Sequence, residues 1–166
     1  MCRRFLPQLK IAIVFALALF LNACAKQLVP DNYAGQTAVL RDSYSNYRDG
    51  GWLNTDTAYF FIATKVDGKI IANSLGETAG DNYGRGFSMT PVPYERRVPI
   101  KTMRVDLLGT THHAADIGIL MNKNYSVRRT VTFTPQPGGR YVVKGQLAES
   151  GSSVWIESED GTVVAK

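Results

Sequence analysis

The chain has 166 residues, the length of one domain, and a formal charge of +5. Arg3, Arg4 and Lys10 supply three of those charges, so residues 11–166 carry only 5 − 3 = +2, which gives charge-driven nucleic-acid binding no support. Both cysteines, Cys2 and Cys24, fall in the first 24 residues, so the rest of the chain has no thiol for a disulfide framework and must be held by a buried core.

The N-terminus reads as an export signal. Arg3, Arg4 and Lys10 form a positive region with no acidic residue before Cys24, and Ile11 to Leu21 is an apolar run. Eleven helical residues span ~16 Å, about half of a ~30 Å hydrocarbon core, so a signal peptide fits better than a transmembrane helix. Arg3-Arg4 is followed directly by Phe5, which favours the general export route over twin-arginine export.

Leu21-Asn22-Ala23-Cys24 resembles the lipobox of bacterial lipoproteins. Leu stands three positions before the Cys, and the small Ala23 leaves the backbone open to a protease. The resemblance implies cleavage between Ala23 and Cys24, a diacylglyceryl group on the Cys24 thiol, and acylation of the new amine. One acyl chain anchors marginally and two or more anchor stably, at ~0.8 kcal/mol per buried CH₂. Ala25 stands where the family's inner-membrane retention signal has Asp, so the resemblance points to the outer membrane facing the periplasm. The alternative is a buried Cys just beyond an ordinary signal.

Three regions follow: a signal over 1–23, a lipidated Cys and tether over 24–35, and a body over 36–166. Lys26, Gln27, Pro30, Asp31, Asn32 and Gly35 give the tether its extended or turning character. Thr37 to Leu40 reads as a first strand. Arg41 to Thr57 reads as a long loop, turning at Asp49-Gly50-Gly51, with Trp52 and Leu53 tucked into the core. Ala58 to Val66 and Lys69 to Leu75 form a hairpin about Asp67-Gly68, because Gly accepts positive φ there. That register puts Thr64 opposite Ile71 and Phe60 opposite Leu75, and sets Phe60, Ile62, Val66, Ile71 and Leu75 on one core-facing side.

Gly76 to Pro93 reads as a glycine-rich loop. Val98 to Leu108 is an expected strand whose apolar phase switches near Pro99, as at a bulge or an edge. Thr111 to Met121 is expected as a further strand, and Asn122-Lys123-Asn124 as a turn. Ser126 to Thr134 alternates, with Val127, Val131 and Phe133 on one side. Pro135 to Gly139 reverses the chain into Arg140 to Leu147. Val154 to Glu157 and Thr162 to Val164 complete the set. About eight short strands with Gly/Pro turns predict an all-β fold, a single antiparallel β-sandwich. Val66-Asp67-Gly68-Lys69 and the Pro137-Gly138-Gly139-Arg140-Tyr141 return resemble small lipoproteins with transthyretin-like or PEGA-like sandwich bodies. That resemblance implies a display or interaction module and carries no catalytic residue over.

The body offers little chemistry. His112 and His113, with Asp116, invite a metal or hydrolase reading. On a strand, however, the neighbouring histidines face opposite ways, and His112 and Asp116 stand ~13 Å apart at ~3.3 Å per residue. Gly80 to Gly86 has the glycines of a phosphate cradle but neither its Gly-Lys-Ser/Thr ending nor a following helix. Arg85, Arg96, Arg97 and Lys101 are candidates for a basic patch contacting an anionic glycan or lipid, with solvated charge as the plain alternative. No Gly-x-Ser-x-Gly elbow is present. The sequence therefore calls for no cofactor. It predicts a non-catalytic envelope module whose partners are the membrane, through Cys24, and an envelope protein or anionic polymer.

Overall fold

The computed structural model describes residues 27–51 and 54–166, so Cys24, Trp52 and Leu53 lie outside the described residues. Among these, ten strands and two short helices form a two-sheet sandwich. In chain order they are β1 (Thr37–Arg41), β2 (Ser43–Arg48), β3 (Thr57–Val66), β4 (Lys69–Ile70), α1 (Ser74–Asp81), β5 (Glu95–Pro99), β6 (Met103–His113), α2 (Ile117–Met121), β7 (Ser126–Phe133), β8 (Arg140–Gln146), β9 (Ser153–Ser158) and β10 (Val163–Ala165). Sheet A runs β10-β9-β8-β1-β5. Sheet B runs β2-β3-β6-β7, with β4 also on β3. All pairs are antiparallel except β1 with β8, which are parallel.

The chain changes sheet at Asp42, between β1 and β2. The stretch expected as a loop from Arg41 to Thr57 therefore holds a strand, whose exposed Tyr44 and Tyr47 hide its alternation. A second crossing explains the phase switch near Pro99: β5 ends in sheet A and β6 begins in sheet B, so the expected single strand is two.

The hairpin forms as its turn residues dictate. Asp67 and Gly68 have φ of 49° and 78°, and Lys65 pairs with Ile70 and Val66 with Lys69. The returning arm stops at Ile70, because Asn73 caps α1 and its side chain accepts from the Gly76 amide at 3.1 Å. Gly76 and Gly80 make this sequence a poor intrinsic helix. Tertiary bonds hold it, including Ser74 N–H to Asp42 Oδ2 at 2.9 Å and Val92 N–H to Thr78 Oγ1 at 2.9 Å.

The single core face expected for the hairpin is divided. The β3–β6 register shifts between Ala63 and Lys65, and a one-residue bulge exchanges the faces. Before it, Phe61 and Ala63 point into the sandwich; after it, Val66 does, joined by Ile71. Phe60 and Ile62 point outward into a second cluster with Ala58, Met89 and Leu108, against which Leu75 of α1 packs. Sheet B is thus buried on both sides where β3 runs. Between the sheets, the Phe61 ring occupies the space that the absent side chains of Gly109 and Gly145 leave.

At the N-terminal end, Leu28 packs on the sandwich core and Val29 is buried. Packing against the body therefore includes residues before Gln36.

Asp42 joins these pieces. Its carboxylate accepts from the Ala63 amide at 3.1 Å and the Ser74 amide at 2.9 Å, and pairs with Arg96 of β5 at 2.5 Å. Both side chains are buried. Burial lifts the Asp42 pKa above its ordinary value, outweighing the opposite pull of Arg96 and the two amides. Removing one partner of a buried pair strands the other. Asp42→Ala is accordingly expected to lower the unfolding free energy by about 3–5 kcal/mol in urea titrations. Lys123→Ala, which breaks an exposed pair with Glu149, should leave the midpoint in place. An Asp42→Ala loss no larger than that of Lys123→Ala would contradict the assignment.

Candidate functional site

The far end of sheet B gathers the histidines and the glycine-rich loop around one groove. β3 and β6 pair Thr57 with His113 and Ala58 with His112 at this end, so the two histidines face opposite ways, as strand geometry requires.

His113 is buried and committed to the fold. Asn124 Nδ2 donates to the Ile119 and Asn122 carbonyls at 2.7 and 2.8 Å, which leaves Asn124 Oδ1 as an acceptor. His113 Nε2, 2.8 Å away, must then carry the proton and donate to it. Nδ1 lies 2.8 Å from the Thr57 hydroxyl, within hydrogen-bond distance. Both ring nitrogens are thus engaged within the fold, by Asn124 and Thr57. Gly118 of α2 packs directly on this ring and on Thr55, where any side chain would collide.

His112 lies on the outer face. Its ring meets Phe60 edge to face, with centroids 5.9 Å apart. Burial lowers its pKa, the neighbouring His113 lowers it further, and Asp116 opposes both. The ~13 Å separation expected of His112 and Asp116 on a strand does not hold, because β6 stops at His113. Ala114 N–H donates to Asp56 O at 2.9 Å and Ala115 N–H to Thr55 Oγ1 at 3.0 Å. These bonds turn the chain, so that Asp116 lines the same groove as His112 and precedes a helix where a strand was expected.

The opposite wall comes from the end of α1 and the loop after it, chiefly Asn82, Tyr83, Gly84 and Gly86, with Met89 buried beneath; the groove encloses about 520 Å³. Asn82 locks this wall: its side chain donates to the Thr78 and Thr90 carbonyls and accepts from the Thr90 amide. The glycine loop follows the C-terminus of α1, the negative end of the helix, which disfavours the phosphate reading. Asp56 is the fixed point between the walls. Its buried carboxylate accepts from the Gly50 and Met89 amides at 2.8 Å each and from the Tyr47 hydroxyl at 3.0 Å. Burial raises its pKa, but the three bonds together win and hold it below the ordinary value.

The four basic candidates occupy different surroundings. Arg96 is buried on Asp42 and stacks over Tyr94 at 5.2 Å, so it offers nothing to a surface ligand. Arg85 stays exposed beside Asn82, at the groove. Arg97 is exposed on edge strand β5, and Lys101 pairs with Asp67 at the hairpin turn. Among the described residues, no three of His, Cys, Asp and Glu converge as metal ligands. Asp42 and Asp56 escaped sequence reasoning, because nothing local distinguishes a buried aspartate beside a strand end from a solvated one.

The turn at Ala114 makes a testable link. In an NMR titration His112 should lose its proton below the free value of about 6.5, and Asp116→Asn should lower its pKa further, since the carboxylate favours the imidazolium. An unchanged His112 pKa in that variant would place Asp116 elsewhere. Comparison with protein-family models, with curated proteins and with solved structures finds no match to this chain.

Proposed function

We propose that this chain is an envelope lipoprotein, anchored through Cys24 in the outer membrane and facing the periplasm, whose body is a non-catalytic interaction module. The observation that carries the module reading is α2. Ile117, Ile119, Leu120 and Met121 are all exposed on it, Leu120 at 85% and Met121 at 64%. Tyr83, on the groove wall, and Phe87 are exposed as well. Such apolar side chains on a fixed support mark contact surfaces in soluble domains.

Packing and hydrogen bonds tie this support to the sheet. Gly118 seats α2 on His113, Asn122 Nδ2 donates to the Gly118 carbonyl at 3.1 Å, and Asn124 binds the Ile119 carbonyl. The buried ionisable groups nearby, His113 and Asp56, have their bonding capacity taken up by this scaffold. The lipobox Leu21-Asn22-Ala23-Cys24 supports the anchoring half of the reading.

The two halves are tested together in intact cells. A photo-crosslinking residue at position 120 should capture a discrete envelope protein, and the same residue at exposed Thr130 should not. Cys24→Ala should abolish membrane fractionation and the acyl mass on the N-terminus. A native protein whose intact mass shows an unmodified Cys24 removes the anchor, and equal capture from positions 120 and 130 removes the module.

A further inference from the structure

We infer that the end of the body carrying the β3–β4 hairpin is the surface that rests on the bilayer, with Ile70 entering the headgroup layer and basic side chains beside it facing anionic lipid. This deepens the proposed function and rests on the acylation of Cys24.

The position of the tether carries the argument. Leu28 and Val29 are docked on the body, where they border a cavity with Ile71, Ala72 and the stretch Tyr94 to Arg97. From Cys24 to Leu28 is 28 − 24 = 4 residues, which reach at most ~14 Å when fully extended. An acylated Cys24 lies at the membrane interface, so whatever surrounds Leu28 is held close to the headgroups. That distance is one to two Debye lengths, ~8–10 Å each at physiological salt, within which charge on the body senses the lipid.

The chemistry at this end fits a lipid surface. Ile71 borders the cavity under Leu28, and its neighbour Ile70 is 68% exposed, unlike the rest of the β-branched residues around it. Lys65 stands directly across from Ile70 in the hairpin, hence on the same face, and Lys69 lies at the tip. Arg97 is exposed on β5, along the same cavity. Asp67 is balanced by its ion pair with Lys101, and Glu95 faces Arg140. Asp106 stands across from Lys65 on β6 and Asp31 borders the cavity, so the cations Lys65, Lys69 and Arg97 outnumber these two acids by one. An exposed isoleucine beside a cationic excess is the pattern of an interfacial contact with anionic lipid.

The opposite end is far away. β3 runs nine steps from Thr57, beside His113 and α2, to Val66 at the hairpin, a length of ~30 Å at ~3.3 Å per residue. The apolar α2 is thereby displayed away from the membrane that the hairpin touches.

The test uses the mature, lipidated protein in vesicles of phosphatidylethanolamine and phosphatidylglycerol containing spin-labelled lipid. Cys2 leaves with the signal and Cys24 is acylated, so Ile70→Cys or Leu120→Cys offers one free thiol for an environment-sensitive fluorophore. The label at position 70 should be quenched several-fold more than the label at position 120. Lys65→Glu with Lys69→Glu should reduce that difference, and both positions are exposed, so the fold survives labelling. Equal or reversed quenching in protein whose mass confirms acylation overturns the orientation alone. Protein lacking the acyl mass overturns the anchoring and the orientation with it.

Discussion

One buried carboxylate holds the architecture together. Asp42 sits where the chain leaves sheet A for sheet B, and binds β3 through the Ala63 amide, α1 through the Ser74 amide and edge strand β5 through Arg96. Placing two charges out of water is costly, and a buried pair is a weak source of net stability. Its effect is on specificity. The Ala63 amide is turned to Asp42 at the point where the β3–β6 register shifts. The bulge there decides which β3 side chains enter the sandwich and which enter the outer cluster.

From that bulge follows the third layer. Phe60 and Ile62 face outward and need cover, which α1 and the Met89 segment supply. Asp56 repeats the device at the other end of sheet B, tying Gly50, Met89 and Tyr47 to one buried carboxylate. Two aspartates thus fix both ends of the covering segment, and the groove at His112 and Asp116 is the seam it leaves. On the proposed reading, the molecule has a polarity. Its cationic hairpin and docked N-terminal segment lie at one end, and its apolar α2 at the other.

The all-β sandwich was legible wherever local chemistry and the final fold agree. Asp67-Gly68 demands positive φ and obtains it, and Pro135 to Gly139 reverses the chain between β7 and β8. Val131 and Phe133 alternate because only one side of β7 is buried. What could not be read depends on distant partners. α1 carries two glycines and persists through bonds to Asp42 and Val92. α2 interrupts a sequence of strand-like apolar residues because the Asp56 carbonyl and Thr55 hydroxyl turn the chain at Ala114 and Ala115. The parallel pairing of β1 with β8 joins segments about a hundred residues apart, and no turn signal records it. The candidate site shows the same division: the opposed faces of His112 and His113 follow from strand period, whereas the return of Asp116 and the burial of Arg96 do not.

Asp42 is an integral part of the core rather than a local cap. Native-state amide hydrogen exchange tests this directly, because the Ala63 and Ser74 amides donate to its two oxygens. Both should exchange only through global unfolding, with protection equal to that of the slowest amides of β3 and β6. Exchange of either amide through local opening, at the rate of the chain ends and surface turns, would show Asp42 to be only a local cap.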